Sequence, residues 1–217
     1  MKQNKIIYTA FVLIAAAMLM TSCKKLALQK DYEHNPQPLD PHVYKTAWEY
    51  LKQRALGNTS ADSVWKRMYE GILYAEIDTL EYSKPNRTYI FLNNEAITRT
   101  SSTAADVGFF DAYRINNAKG TKWQDYPKSL VKAYLQYMII EGVYDHYTLP
   151  AGILQSVPTL APAGSLSTLP AGITRNTAYP FVANPESKMS LKVLNSSPSN
   201  TSDYPVVINE NRNVRTS

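Results

Sequence analysis

This chain has one cysteine, three histidines and no apolar run of the roughly 18 residues that a membrane-spanning helix needs. A single cysteine excludes an intramolecular disulfide, and no histidine has a second candidate ligand two to four residues further on, which argues against zinc. The motifs of a serine-hydrolase elbow, a P-loop and a dinucleotide-binding loop are also missing. We therefore predict no catalytic residue, no cofactor and no metal site. With 217 residues, the chain can still bury a substantial hydrophobic core.

Positive charge is modest and concentrated near the start of the chain. The formal net charge is +5. Five lysines lie within the first thirty residues: Lys2, Lys5, Lys24, Lys25 and Lys30. The rest of the chain is close to neutral and has no arginine-rich stripe interleaved with aromatic residues, which argues against a nucleic-acid partner.

The first 22 residues have the parts of a secretory signal peptide. "MKQNK" supplies a basic start, residues 6–20 form an apolar stretch, and the small residues Thr21 and Ser22 precede Cys23. Because this apolar stretch is short for a membrane span, we predict a signal peptide over residues 1–22.

The one cysteine stands where a lipid could be attached. Met20-Thr21-Ser22-Cys23 resembles the bacterial lipobox, with Met20 in place of the more common leucine. The resemblance implies that Cys23 becomes the first mature residue, with a diacylglyceryl thioether on its sulfur and a further chain such as palmitate on its nitrogen. Each buried methylene contributes about 0.8 kcal/mol, so two or more chains would anchor the protein stably. The alternative is an ordinary signal peptide with an incidental cysteine.

Residues 24–41 follow Cys23 and contain three prolines, Pro36, Pro38 and Pro41, with little apolar periodicity. We interpret residues 23–41 as the lipidated cysteine and a flexible tether. The ends of the tether would lie roughly 20–25 Å apart, enough to hold a domain away from a membrane.

The remainder of the chain, residues 42–217, has mixed helical and strand patterns. Two apolar stripes predict a first helix over residues 42–55 and a second helix capped by Ser60. The stripe residues are Tyr44, Trp48, Leu51 and Ala55 in the first helix, and Trp65, Met68, Ile72 and Ala75 in the second. Strands are predicted over 87–92, 189–195 and 204–210, and further helices from Asn93 or Asn94 and over 128–142, with Gly142 as the C′ residue. These patterns predict an α+β fold.

The order of these elements resembles that of fasciclin-type domains. "TYIFLNNEAI", residues 88–97, is similar to the first signature of that family, with Leu92 and Asn93 in place of Pro-Thr. "LVKAYLQYMIIEGVYD", residues 130–145, is similar to the second, with Tyr137 matching and Met138 in place of a histidine. The β-hairpin that follows is similar to segments 189–195 and 205–217.

This resemblance implies a fasciclin-like α+β domain over residues 42–217, with N-terminal helices packed on a small β-sheet or wedge. The last family signature, Asn-Gly followed by an apolar-His-apolar strand, does not occur before Ser217. We therefore expect the domain to be truncated at its C-terminal strand.

Aromatic residues are abundant, with sixteen tyrosines and three tryptophans, so they are the first candidates for a binding surface. Tyr44, Trp48 and Trp65 fall on the apolar stripes and are predicted to be in the core. The candidates for stacking on a sugar or a peptide are Tyr50, Tyr69, Tyr74, Trp123 and Tyr126. The alternative for each is a role in core contacts.

Carboxylates and hydroxyls give fewer candidates. On a continuous helix, Glu76 and Asp78 would point about 200° apart, so we predict that they and Glu81 form a solvated surface. Asp62-Ser63-Val64 and Asp78-Thr79-Leu80 match the Asp-Ser/Thr-apolar pattern of O-glycosylation in the Bacteroidetes. Ser63 and Thr79 are therefore candidate acceptors, with chance matches as the alternative.

The lipobox, the lysine pair after Cys23 and the tyrosine-rich body resemble outer-membrane lipoproteins of the Bacteroidetes, some of which accompany glycan import systems. The resemblance implies a membrane-anchored extracytoplasmic lipoprotein that acts as a non-catalytic adhesion or binding module, with a protein or glycan partner. The alternatives are a structural subunit of an outer-membrane transporter complex for glycan import, and a glycan-acting hydrolase. We expect lipid anchoring in the outer membrane, with the cell surface favoured over the periplasmic face.

Overall fold

The computed structural model describes residues 43–58, 62–100, 107–145, 148–150, 152–193 and 206–209, and the backbone of residues 215–216. The predicted signal peptide, Cys23 and the predicted tether lie outside the described residues, as does Ser60. Among the residues that are described, no helix is both long and apolar enough to span a membrane.

The helices are short, and two of the α-helices begin at polar caps. The Thr46 hydroxyl accepts from the Glu49 N–H at 3.2 Å, while the Glu49 carboxylate accepts from the Thr46 N–H at 2.9 Å. Asn93 caps its helix by accepting from the Ala96 N–H at 2.7 Å, as predicted. The α-helices are α1 (Ala47–Leu56), α2 (Lys66–Tyr74), α3 (Asn94–Thr98), α4 (Phe109–Ala112) and α5 (Lys128–Tyr137), with 3₁₀ helices at Thr79–Ser83 and Trp123–Asp125.

The strands pair antiparallel throughout the described sheets. They are β1 (Arg87–Tyr89), β2 (Tyr113–Ile115), β3 (Ala118–Lys119), β4 (Ile139–Glu141), β5 (Gln155–Pro158), β6 (Ile173–Arg175), β7 (Lys188–Val193), β8 (Val206–Ile208) and β9 (Arg215–Thr216). β1 pairs with β4, β2 lies between β3 and β6, and the third sheet has the order β5-β7-β8-β9. The predicted strands near 189–195 and 204–210 correspond to β7 and β8, with Leu191 opposite Ile208.

A single bridge joins two of these sheets. Ile140 in β4 pairs with Thr159, the residue after β5, and the Leu160 N–H donates to the Ile139 carbonyl at 2.8 Å. β4 therefore has β1 on one side and the end of β5 on the other. Among the described strands, the order across this bridge is β1-β4-β5-β7-β8-β9, with β1 at one edge.

Two groups of buried side chains form the hydrophobic core. The larger involves α1, α2 and α5 and includes Leu51, Met68, Ile72 and Leu135. The smaller lies against the four-stranded sheet and includes Tyr137, Ile140, Val157, Met189 and Leu191. The helical stripes were thus correctly predicted at Leu51, Ala55, Met68, Ile72 and Ala75.

The first predicted helix begins too early. Tyr44 is 82% exposed and has a φ of +50°, because the helix starts only after the Thr46 cap. The prediction that Tyr44 is a core residue is therefore wrong. Trp48 and Trp65 are partly buried against the larger core group.

Two other helices end earlier than predicted. α2 ends at Tyr74, and the positive φ of Glu76, +52°, breaks the predicted helix before Asp78. α5 ends at Tyr137, and the β-branched residues that follow pair with β1 as strand β4. Gly142, with a φ of +113°, therefore follows a strand and is not a helix C′ residue. The coarser prediction, a mixed α+β fold, is confirmed.

Candidate binding surface

Tyr50 belongs to a cluster of partly exposed rings beside a cation. Its ring centroid lies 5.3 Å from that of Trp65 in an edge-to-face arrangement, and Phe91 lies 4.9 Å from Trp65 on another side. The Arg54 guanidinium is 5.8 Å from the Trp65 ring centroid and 3.5 Å from an Asp62 carboxylate oxygen. Aromatic edges next to a guanidinium are typical of binding surfaces.

Tyr69 ends a run of ring contacts that reaches from the core to the surface. It stacks on Trp48 at 5.5 Å, and Trp48 contacts the buried Tyr82 at 6.0 Å. In the part of the chain that the structure describes, neither the Tyr69 hydroxyl nor the Tyr50 hydroxyl has an internal hydrogen bond. Both hydroxyls are therefore available to a ligand.

The other three aromatic candidates bond inward. Trp123 is 1% exposed and Tyr126 is 2% exposed, so the structure corrects their assignment to a surface patch. The Trp123 indole N–H donates to the Arg67 carbonyl at 2.7 Å. The half-buried Tyr74 donates its hydroxyl hydrogen to the Tyr126 carbonyl at 2.7 Å. Their polar atoms are satisfied inside the protein, which is why these large rings can be buried.

The carboxylates Glu76 and Asp78 have separate local partners. Glu76 is exposed and forms an ion pair with Lys128, whose hydrogen bond lowers the pKa of the Glu76 carboxyl. Asp78 accepts from the Leu80 N–H at 3.0 Å and so caps the 3₁₀ helix. These contacts account for both side chains without an acid–base pair.

The two candidate O-glycosylation residues lie in different settings, and neither is in an α-helix. Ser63 is in the turn before α2, where its carbonyl accepts from the Asn94 side chain at 2.8 Å. Thr79 begins the 3₁₀ helix, and the next residue, Leu80, is 67% exposed. The Asp78-Thr79-Leu80 tripeptide is thus the more open of the two.

The structure also contains a groove that the sequence did not indicate. Its volume is about 460 Å³, and it is lined by Lys84, Pro85, Asn86, Arg87, Glu141 and Gly142. The Gly142 N–H donates to the Asn86 carbonyl at 3.0 Å and brings the two sides together. Pro85 and Asn86 are residue types typical of turns, but Gly142 was predicted to end a helix, so the sequence did not relate the two sides.

Among the described residues, no group of three or more histidine, cysteine, aspartate or glutamate side chains is placed to hold a metal ion. Comparisons with protein-family models, with curated proteins and with solved structures found no match to this chain. Function is therefore inferred from the chemistry of the chain's own residues.

Proposed function

We propose that this protein is a lipid-anchored, non-catalytic binding module of the outer membrane. The observation that carries the proposal is the position of the one cysteine, Cys23, which ends the Met20-Thr21-Ser22-Cys23 segment directly after a basic and apolar leader. Acyl chains on this residue would hold the domain beside a bilayer, since two or more chains give stable anchoring.

The proposal includes a fasciclin-like arrangement of the α+β body. The order of β1, the Asn93-capped helix α3, the helix α5 and the β7–β8 pair supports this arrangement. We propose that the anchored body faces the outside of the cell, where short helices and loops would present their aromatic residues to a partner.

A binding role is supported by the partly exposed rings of Tyr50 and Tyr69. Tyrosine and tryptophan supply a large contact area at a low cost in side-chain entropy, and arginine adds directional hydrogen bonds. Arg54 lies beside the Tyr50 cluster through its contact with Trp65. A glycan or a protein surface could be bound by these groups.

Metabolic labelling with radioactive palmitate tests the anchor. The full-length protein, expressed in a Bacteroidetes host, is expected to carry label and to fractionate with the outer membrane, whereas Cys23→Ala should carry none. Met20→Leu, which restores the more common lipobox residue, is the matched control and should remain labelled. An unlabelled wild-type protein with a free Cys23 thiol would refute the proposal.

Two further measurements address location and partner. Protease treatment of intact cells should degrade the protein if it lies on the cell surface. Purification from solubilised membranes should recover it without a stoichiometric transporter; a stoichiometric transporter subunit would instead favour the structural role in a glycan import complex.

A further inference from the structure

Arg87 and Glu141 are directly opposite each other in the β1–β4 ladder, where opposite charges commonly pair. Arg87 instead forms an ion pair with Glu81, in which its Nη1 atom lies 3.1 Å from Oε2. Lys84 contacts the other oxygen of Glu81 at 2.6 Å. Glu81 therefore occupies both cations, and the exposed Glu141 carboxylate has no hydrogen bond or ion pair in the described part of the chain.

Asn86 supplies a second available polar group to the same groove. Its φ is +58°, a left-handed conformation that asparagine tolerates better than most residues. Its backbone carbonyl accepts from Gly142, but its side-chain amide has no partner among the described residues. The amide can both donate and accept, so it complements the acceptor-only carboxylate of Glu141.

The Tyr144 ring lies beside the groove: it contacts Gly142, which lines the groove, and it also packs against the smaller core group. A Cβ atom built on Gly142 would lie 2.8 Å from Cε2 of Tyr144, so the ring lies directly against this glycine. Thr88 fixes the turn, because its hydroxyl donates to the Gly142 carbonyl at 2.9 Å and accepts from the Tyr144 N–H at 2.9 Å. The ring is partly exposed and its backbone is held in place.

The charges around the groove balance. Lys84 and Arg87 offset Glu81 and Glu141, so the groove gives no strong attraction to an anion or a cation as such. A ligand rich in hydroxyl groups fits better, since each hydroxyl can donate to Glu141 and accept from Asn86. The apolar face of a sugar ring can also lie against Tyr144. The groove is largely open to solvent, and its volume of about 460 Å³ is comparable to that of small-molecule sites, roughly 300–1,000 Å³.

We propose that the groove bordered by Asn86, Glu141 and Tyr144 binds a neutral sugar unit of a glycan. This inference rests on the proposed binding function and names its ligand class. Glu141 accepts hydrogen bonds from sugar hydroxyls, Asn86 both donates and accepts, and Tyr144 provides the stacking surface.

The test uses the full-length protein in detergent and a panel of neutral hexasaccharides built from glucose, xylose, mannose or galactose. Binding is measured by calorimetry and by saturation-transfer NMR. At least one hexasaccharide should bind, and Glu141→Gln should weaken it about tenfold, as expected for one lost charge-assisted hydrogen bond. Asn86→Gly, which keeps the left-handed backbone and removes the amide, should also weaken binding.

Matched variants separate the roles of the groups. Tyr144→Phe should keep the stacking surface and most of the affinity, whereas Tyr144→Ala should lose binding. Glu186→Gln serves as the control, because Glu186 is exposed, pairs with Lys188 and does not line the groove. Circular dichroism of each variant checks that the fold is retained.

Three outcomes would overturn the inference. If the wild-type protein binds none of the hexasaccharides, the proposal that the groove binds a neutral sugar is wrong. If Glu141→Gln and Asn86→Gly bind the sugar as tightly as the wild type does, the sugar site lies elsewhere on the protein. The proposed binding function would then still hold. If spermidine displaces the sugar from the wild-type protein but not from Glu141→Gln, the groove is a cation site. Palmitate labelling at Cys23 is measured in parallel, so failure of the groove and failure of the anchored module give different results.

Discussion

The Tyr126 hydroxyl lies 2.8 Å from the carbonyl oxygen of Tyr113. The same hydroxyl is 3.0 Å from the Phe110 carbonyl and accepts from the Gly120 N–H at 3.2 Å. Burial raises its pKa to about 12, so it keeps its proton at physiological pH. One phenol thus connects α4, β2 and the segment that follows β3.

Tyr126→Phe is expected to destabilise the protein. The change leaves the Gly120 N–H without its acceptor and removes the donor to two carbonyl groups, while the ring contacts remain. The expected loss is about 1–3 kcal/mol in the free energy of unfolding, the usual cost of unpaired buried polar groups. Urea denaturation followed by tryptophan fluorescence measures it, and a variant as stable as the wild type would contradict the role assigned to this hydroxyl.

Tyr82→Phe is expected to have the opposite outcome, although it is the same chemical change. Tyr82 is 1% exposed, and its hydroxyl has no hydrogen-bond partner within the described structure. Removing that oxygen keeps the stack on Tyr89, at 5.6 Å, and relieves an unsatisfied buried group. We predict no loss, and a gain of up to about 1 kcal/mol, in the same urea experiment. A loss equal to that of Tyr126→Phe would show that the Tyr82 hydroxyl is bonded in solution.

Asp111 is a fully buried carboxylate held by two cations. Arg114 Nη2 lies 2.8 Å from Oδ1, and Lys119 Nζ lies 3.2 Å from Oδ2. Asn176 also donates to Oδ1, at 3.3 Å. Asp111→Asn should cost about 2–3 kcal/mol at neutral pH, less than a fully buried pair would, because Arg114 and Lys119 keep some contact with water. Glu76→Gln, at an exposed ion pair, is the control and should change stability little.

The contribution of Asp111 should also depend on pH. Burial alone would raise the pKa of this carboxyl, but Arg114 and Lys119 outweigh burial and hold the pKa below its ordinary value of 3.8. On acidification the unfolded chain therefore binds this proton first, so the stabilisation is complete above about pH 5 and is lost as the pH falls through the folded-state pKa. Urea denaturation from pH 7 to pH 3 should show the difference between wild type and Asp111→Asn shrinking at the acid end. A constant difference would contradict this assignment.

Thr79 is predicted to carry more O-linked glycan than Ser63, because its tripeptide is more open. In a Bacteroidetes host, Thr79→Ala should lower the intact mass by at least one glycan, as measured by mass spectrometry. Thr98→Ala is the matched control, since its hydroxyl donates to the Asn94 carbonyl inside α3. A mass loss in Ser63→Ala alone would reverse the assignment.

Helix faces could be predicted from the sequence because burial follows the helical period at Leu51, Met68 and Ile72. The end of α5 could not be predicted in the same way. The apolar pattern continues through Ile139 and Ile140. These β-branched residues form a strand and not a further helical turn because they pair with β1. A contact between segments some fifty residues apart decided the local structure there.

The β2–β3 hairpin was not predicted, although its turn residues give a local signal in the sequence. Asn116 and Asn117 join β2 to β3 with φ values of +48° and +67°. Two consecutive left-handed residues between short strands are characteristic of a type I′ turn, in which asparagine is favoured. The burial of Trp123 and Tyr126, by contrast, depends on carbonyl groups in distant elements, such as Arg67 O for Trp123, and no spacing in the sequence reveals it.

Tyr50 and Tyr69 could be selected from the sequence because they fall beside the buried stripes of their helices. The groove could not, since Asn86 and Glu141 come together only through the β1–β4 ladder. The availability of Glu141 depends in turn on Glu81, which occupies the guanidinium that would otherwise pair with it.

The junction at Ile140 and Thr159 has a mechanical consequence. In the described residues, the backbone contact there consists of one bridge and one additional hydrogen bond, so the junction depends on side chains, with Tyr137 and Ile140 buried against the four-stranded sheet. Packing of these side chains, and not a full ladder, therefore limits how far the β1–β4 pair can twist relative to β5 and β7. Because Asn86 and Glu141 both belong to the β1–β4 side of the junction, such twisting would leave the shape of the groove unchanged.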